Sequence, residues 1–214
     1  MDARDDFQVI QPRPCVRAAR PDELDAVEEM YGQVIDAMIG TPQDILWRRG
    51  EHPSREMLEN ECAAGNLFVG SNWGCVRFVP PLLRGAEAPH AFEETEAPAP
   101  TDCIVGAFVL NGDQTVGYEK VSWTVELPAS QVCVIHALAV APSARGLGMS
   151  RVLLDAAVRE ARLRGARSLR LDVVPYNESG IGCYRAFGMH DLGIHELAYD
   201  GFEPLPFRMF ELAL

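Results

Sequence analysis

The sequence predicts a mixed α/β fold with one parallel βαβ crossover, and three consecutive segments carry that prediction. Gln131 to Val140 is the most apolar stretch, and its nearly continuous Val-Cys-Val-Ile-His-Ala-Leu-Ala-Val run suits a central strand buried on both faces. Val152, Leu153, Ala156, Ala157 and Leu163 then fall on one side of a helix that Gly165 terminates. Ser168 to Val174 reads as a second strand, so the two strands should lie parallel in one sheet with a right-handed connection.

The elements before the crossover follow from the same rules. A polar tail over residues 1–13 gives way to Cys15-Val16-Arg17-Ala18, which alternates like a short strand. Pro21 suits the first turn of a helix, and Asp22 and Glu23 place negative charge at its N-terminus. Leu24, Val27, Tyr31, Val34, Ile35 and Met38 recur at helical spacing, which predicts an amphipathic helix to about Ile39, ended by Gly40 and Pro42. His52-Pro53-Ser54 starts a second helix through about Ala64, and Trp47 in the loop between them is either packed surface or a wall of a substrate site. Leu67 to Gly70, Cys103 to Leu110 and Val121 to Val125 are strand candidates, rich in β formers. Residues 80–102 carry five prolines and four glutamates, which predicts an acidic, mobile insert within one domain spanning 14–214.

Composition narrows the function. Nineteen basic against thirty-one acidic residues give a formal charge of −12, which disfavours a nucleic-acid binder because phosphate neutralisation needs clustered Lys and Arg. A cationic partner fits that charge better. The acidic start Met1-Asp2-Ala3-Arg4-Asp5-Asp6 lacks a signal-peptide core, and no run approaches the ~20 apolar residues of a membrane span, so a cytoplasmic protein without membrane partners is expected. Six scattered cysteines and five histidines show no metal-ligand spacing, so no metal is expected and the thiols read as reduced.

At the top of the crossover, Gly146 and Gly148 offer side-chain-free positions. There the backbone can curl so that its N–H groups, with those of the helix's first turn, converge on an anion. The turn lacks the Gly-Lys-Ser/Thr of a P-loop and the third glycine of the dinucleotide fingerprint, so its spacing alone does not name the ligand.

The context does. Leu138-Ala139-Val140-Ala141-Pro142 followed by Arg145-Gly146-Leu147-Gly148-Met149-Ser150 resembles the cofactor motif of the GNAT superfamily of N-acetyltransferases, Gln/Arg-x-x-Gly-x-Gly/Ala, with Ser150 at the last position. Leu171-Asp172-Val173, then Asn177, then Cys183-Tyr184-Arg185-Ala186-Phe187-Gly188-Met189 is similar to the family's later strand, Asn and Leu-Tyr-x-x-x-Gly-Phe segment. Gly180, Cys183 and Met189 replace the commoner Ala, Leu and Phe, which are packing changes.

The resemblance implies a mostly antiparallel central sheet flanked by helices, whose parallel strands splay near Ala139 and Val173 into an acetyl-CoA cleft. It implies that Arg145, Gly146, Leu147, Gly148, Met149 and Ser150 bind the pyrophosphate. Leu138, Ala139 and Val140 would pair with the pantetheine arm like an added strand, and Asn177 would hydrogen-bond that arm or cap the following helix. A backbone N–H near Leu138 and Ala139 would stabilise the oxyanion. The implied reaction is acetyl transfer to a primary amine by direct attack in a ternary complex. An acetyl-CoA-binding sensor or scaffold without transfer activity, or the same fold transferring a longer acyl group, remains open. The acceptor would be a small molecule, and the charge leans towards cationic ones. A monomer and a homodimer are both compatible.

A lysine-like amine with pKa ~10.4 is only about one part in 2,500 neutral at pH 7, equivalent to roughly 4.6 kcal/mol, so a base matters. His136 lies two residues before Leu138, on the same face of a regular strand, and is the first candidate, against a histidine satisfied inside the sheet. Glu126, at the end of the preceding strand candidate, is the second, against a solvated glutamate. Asp172 can orient neighbouring groups. The resemblance assigns Tyr184 as the acid that protonates the departing thiolate, against core packing.

Overall fold

A seven-stranded sheet organises the chain in the computed structural model, which describes residues 14–71, 104–199 and 203–214. The strands are β1 (Cys15–Ala18), β2 (Leu67–Ser71), β3 (Ile104–Asn111), β4 (Val132–Val140), β5 (Ser168–Val173), β6 (His190–Leu197) and β7 (Leu205–Ala213). They run in the order β1-β2-β3-β4-β5-β7-β6, antiparallel except for the parallel β4–β5 pair. Among the described residues four α-helices accompany them: α1 (Leu24–Asp36), α2 (Arg55–Ala63), α3 (Met149–Leu163) and α4 (Glu178–Phe187). The expected βαβ crossover is β4, α3, β5, and the acidic insert over 80–102 lies outside the described residues.

Helix boundaries follow local chemistry. Pro21, Asp22 and Glu23 form a 3-10 turn ahead of α1, and the Glu23 carboxylate is buried beneath Arg17 and the Arg20 backbone N–H. Val27, Tyr31 and Val34 of α1 bury into the main core with Phe108, Leu110, Leu153, Leu154, Leu169 and Leu171. The helix stops at Asp36, three residues before the expected end, where the exposed Ile39 no longer has a core to cover. Ser54 caps α2 by accepting from the Met57 N–H.

The strand expected over Val121–Val125 does not form. This segment follows a 3-10 turn at Tyr118–Lys120, and its side chains settle on the sheet: Val121 and Trp123 pack with Tyr118, Val132, Val134, Leu197 and Met209. Side chains of β5 and β7 replace a ladder. The Thr124 N–H donates to Glu211, and Arg170 Nη2 donates to the Val125 carbonyl. Arg170 and Glu211 form a buried ion pair at 3.1 Å, and the guanidinium lies 3.9 Å from the Trp123 ring centroid.

Two irregularities in β4 shape the sheet's centre. Parallel pairing with β5 covers only Val132 to Val134 against Ser168 to Arg170. Each strand then keeps its other neighbour, β4 pairing with β3 to Val140 and β5 with β7 to Val173, so the two part between them. On the β3 side, Ala107 pairs with Ala139 but Val109 pairs with His136, so β4 spends one residue more than β3. This is a β-bulge, and Ala137 within it has φ of 50°. Residues opposite one another share a face. His136 therefore shares its face with Ala139, and the expectation that it shares one with Leu138 is corrected, because the bulge breaks the alternation.

Candidate active site

The turn between β4 and α3 has the backbone of an anion cradle. Gly146 and Gly148 adopt φ of 74° and 80°, in the left-handed region that costs an L side chain roughly 1–2 kcal/mol. A Cβ at either would meet no protein atom within 4 Å, so backbone conformation rather than crowding demands glycine, and the space above the turn is clear. Gly148 is the N-cap of α3. Among the described residues the N–H groups of Gly146, Gly148, Met149 and Ser150 have no backbone acceptor, as expected of a helix's first turn. These amides and the positive end of the 15-residue helix favour a phosphate. Arg145 and Leu147 are exposed beside them, whereas the Met149 side chain is buried in the core and only its amide serves the turn.

From this turn the cleft runs between the parted strands. Leu138, Ala139 and Val140 lie beyond the last β4–β5 pair, with their β3 side occupied and their β5 side facing the gap. Tyr31 supports the bulge: its hydroxyl, buried in α1, donates to the Ala137 carbonyl at 2.7 Å. Asn177 caps α4, its Oδ1 accepting from the Gly180 N–H at 2.9 Å, which leaves Nδ2 for another partner. A Cβ at residue 180 would press to 2.9 Å from Asn177 Nδ2, so the glycine there permits the cap's close approach. Tyr184 is buried against Phe210 with ring centroids 5.4 Å apart. Burial, then the neighbouring Cys183 and Asp172, push its phenol well above the usual tyrosine range, so it keeps its proton. Among the described residues no hydrogen bond engages that hydroxyl.

A polar group faces the cleft from the other side. Asp172 of β5 accepts hydrogen bonds from the hydroxyls of Tyr118 (2.7 Å) and Tyr199 (2.8 Å). Burial raises its pKa against the lowering effect of the two tyrosines, and its charge reaches both His136 and Tyr184. Val134 pairs with Arg170, so alternation along each strand puts His136 and Asp172 on one face. Burial lowers the His136 pKa, opposed by the nearby Asp172, Asp113 and Glu61 carboxylates, which favours the neutral imidazole at pH 7. Trp47 stands edge-on to Tyr31 (6.1 Å) and His52 (5.2 Å), so the α1–α2 loop flanks this face while packing against the core.

The charge of Asp172 thus acts on both His136, on its own face of the sheet, and Tyr184, which packs on Phe210 opposite Leu171. Glu126 stands apart. It lies exposed in a coil rather than at a strand end, beside a cavity of about 610 Å³ lined by Tyr118, Lys120, Trp123 and Arg170. Among the described residues no hydrogen bond or ion pair joins it to His136 or Tyr184. Tyr118, Tyr199, Tyr31 and Asn111, whose Oδ1 lies 3.0 Å from His136 Nε2, were missed at the sequence level, because each meets its partner across a long chain separation and belongs to no short motif. Among the described residues, no group of three or more His, Cys, Asp or Glu side chains can hold a metal, and no helix is long and apolar enough to cross a membrane.

Comparison with known proteins bears on the family and the fold. The model of the GNAT acetyltransferase family matches residues 75–189. A streptothricin acetyltransferase from Streptomyces lavendulae is 34% identical over 166 residues, covering 72% of this chain and 84% of that protein. Among solved structures, a GNAT-family acetyltransferase from Streptococcus agalactiae 2603 superposes with a TM-score of 0.67 at 14% identity, covering 94% of this chain and 95% of the other. The Salmonella typhimurium protein yncA, solved with its cofactor acetyl-CoA, superposes with a TM-score of 0.55 at 15% identity, covering 94% of each chain. At these identities the structural likenesses show the fold.

Proposed function

The chain belongs to the GNAT family of acetyltransferases, and we propose that it transfers the acetyl group of acetyl-CoA to a primary amine of a small cationic molecule. The observation that carries this reading is the parting of β4 from β5 beside a glycine turn with free amides. Acetyl-CoA supplies an activated thioester. The amides of Gly146, Gly148, Met149 and Ser150, with Arg145, would hold its pyrophosphate, while Leu138, Ala139, Val140 and Asn177 would hold the pantetheine arm. Residues of the cleft then divide the remaining work. Asp172, fixed by two tyrosine hydroxyls, offers a carboxylate to an ammonium group. His136, neutral at pH 7, accepts the amine's proton. Tyr184 donates to the sulfur as negative charge develops there. Its raised pKa makes it a hydrogen-bond donor rather than a strong acid, which suits stabilising a thiolate without releasing a proton beforehand.

The streptothricin acetyltransferase relative supports a small-molecule acceptor, and Asp172 supports a cationic one. The test is incubation with acetyl-CoA and an amine panel that includes streptothricin, a polyamine, an aminoglycoside and an uncharged amine, with thiol release followed by a chromogenic disulfide. Thiol release with a cationic amine, and an acetylated product by mass, is expected. Binding of acetyl-CoA without release for any amine would leave a sensor instead.

A further inference from the structure

The geometry points to Glu61 and Asn111 as positioning residues that lock His136 in its Nε2–H tautomer and leave Nδ1 as the proton-accepting nitrogen. This rests on the proposed role of His136 as base. The imidazole Nε2 lies 3.0 Å from Asn111 Oδ1. Which atom of Asn111 faces the ring is settled by its other bonds. Its Nδ2 donates to Glu61 Oε1 at 3.1 Å, and a carboxylate only accepts. Its Oδ1 accepts the Asp113 backbone N–H at 3.0 Å, and an N–H requires an oxygen. Both restraints turn the carbonyl oxygen to His136, so Nε2 must carry the hydrogen.

Glu61 is itself fixed, since Asn66 Nδ2 donates to its other oxygen at 2.9 Å. The chain from α2 through the end of β3 to β4 therefore has one consistent direction of donation. The same direction decides where a captured proton resides. An amide oxygen does not accept a proton from imidazolium, so the proton stays on Nδ1 while the Nε2 bond persists. The groups facing the ring from its surroundings are Asp172 on β5, Asp113 after β3, Glu61 on α2 and His52 before α2. The three carboxylates and a hydrogen bond to the Asp113 backbone favour the imidazolium, and burial opposes it; the charge of His136 in turn lowers the pKa of His52.

The direct test is long-range proton–nitrogen correlation NMR on the intact protein, with H136Q used to assign the ring. Wild type should show a single Nε2–H tautomer at pH 8. A dominant Nδ1–H tautomer would overturn the inference without touching the acetyltransferase reading. In Asn111→Ala the tautomer should become mixed, and kcat/KM for the amine should fall about tenfold with acetyl-CoA affinity unchanged. Asn111→Asp places a carboxylate on Nε2–H, so the acidic limb of kcat/KM should move to higher pH. Glu61→Gln keeps an acceptor for Asn111 Nδ2 and should restore the wild-type spectrum that Glu61→Ala loses. An Asn111→Ala enzyme with an unmixed tautomer and an unshifted rate would also overturn the assignment. Should that variant not fold, the wild-type tautomer alone decides.

Discussion

Replacing Gly148 by alanine separates the turn's backbone strain from its ligand contacts, because a matched control exists in the same molecule. Gly148 and Gly165 flank α3, have φ of 80° and 79°, and in both a Cβ would meet nothing within 4 Å. Each substitution should therefore cost the same roughly 1–2 kcal/mol of left-handed strain. At about 2–4 °C per kcal/mol for a chain of this size, both should lower Tm by about 2–8 °C. Only at 148 does the added methyl enter the space above the amides of α3's first turn. Losing one charge-assisted hydrogen bond there is worth about 1.5–3 kcal/mol, or roughly a ten- to hundredfold weaker Kd for acetyl-CoA. Thermal unfolding measures the first quantity and isothermal calorimetry the second. Equal acetyl-CoA affinity in Gly148→Ala and Gly165→Ala, at equal stability, would refute the cradle.

Other outcomes concern the cleft. Tyr184→Phe should lower kcat about a hundredfold with acetyl-CoA binding within twofold of wild type; unchanged turnover at saturation would remove its role as donor to the sulfur. The His136 pKa lies below its usual 6.5, so kcat/KM should fall only below about pH 6.5, as the base takes up a proton. His136→Gln should lose that limb, and a profile that keeps it would remove the base role. Asp172→Asn should raise KM for a cationic amine about tenfold or more while sparing an uncharged amine; equal effects on both would remove the ammonium site. Tyr31→Phe leaves the Ala137 carbonyl without its donor, at a cost of about 1–3 kcal/mol visible as a lower Tm.

How far the fold and the site are legible in the sequence depends on how local the determining interactions are. The β4–α3–β5 unit is written in contiguous apolar periodicity, and the turn, Asn177 and Tyr184 sit in short motifs, so sequence spacing reaches them. Val121–Val125 misleads because β propensity needs a partner strand, and here the backbone is satisfied by Glu211 and Arg170 instead. β6 is obscure for another reason. It is an edge strand carrying His190, Asp191, His195 and Glu196, and a register shift between Asp191 and Ile194 erases its alternation. The Asp172 clamp joins residues 54 and 27 positions apart, and the Asn111 bonds to Glu61 and His136 span 50 and 25. No window along the chain contains them.

The bulge in β4 ties these separate features together. A regular strand would keep His136 and Leu138 on one face and leave Ala139 on the other. One extra residue lets His136 and Ala139 share a face, and this lies just past the last pair that holds β4 to β5. The bulge thus falls where the cleft opens, and the strand that borders the gap also carries His136, the proposed base, on the face of Asp172. Its carbonyl at Ala137 is held by Tyr31 from α1, and the same Tyr31 ring packs edge-on against Trp47. Movement of α1 on acceptor binding would therefore pull directly on the backbone that, in the proposed complex, the thioester would lie against. On this arrangement Tyr31→Phe should lower kcat more for bulky acceptors than for small ones, beyond its effect on Tm. A uniform loss across acceptor size would reduce Tyr31 to a purely structural support.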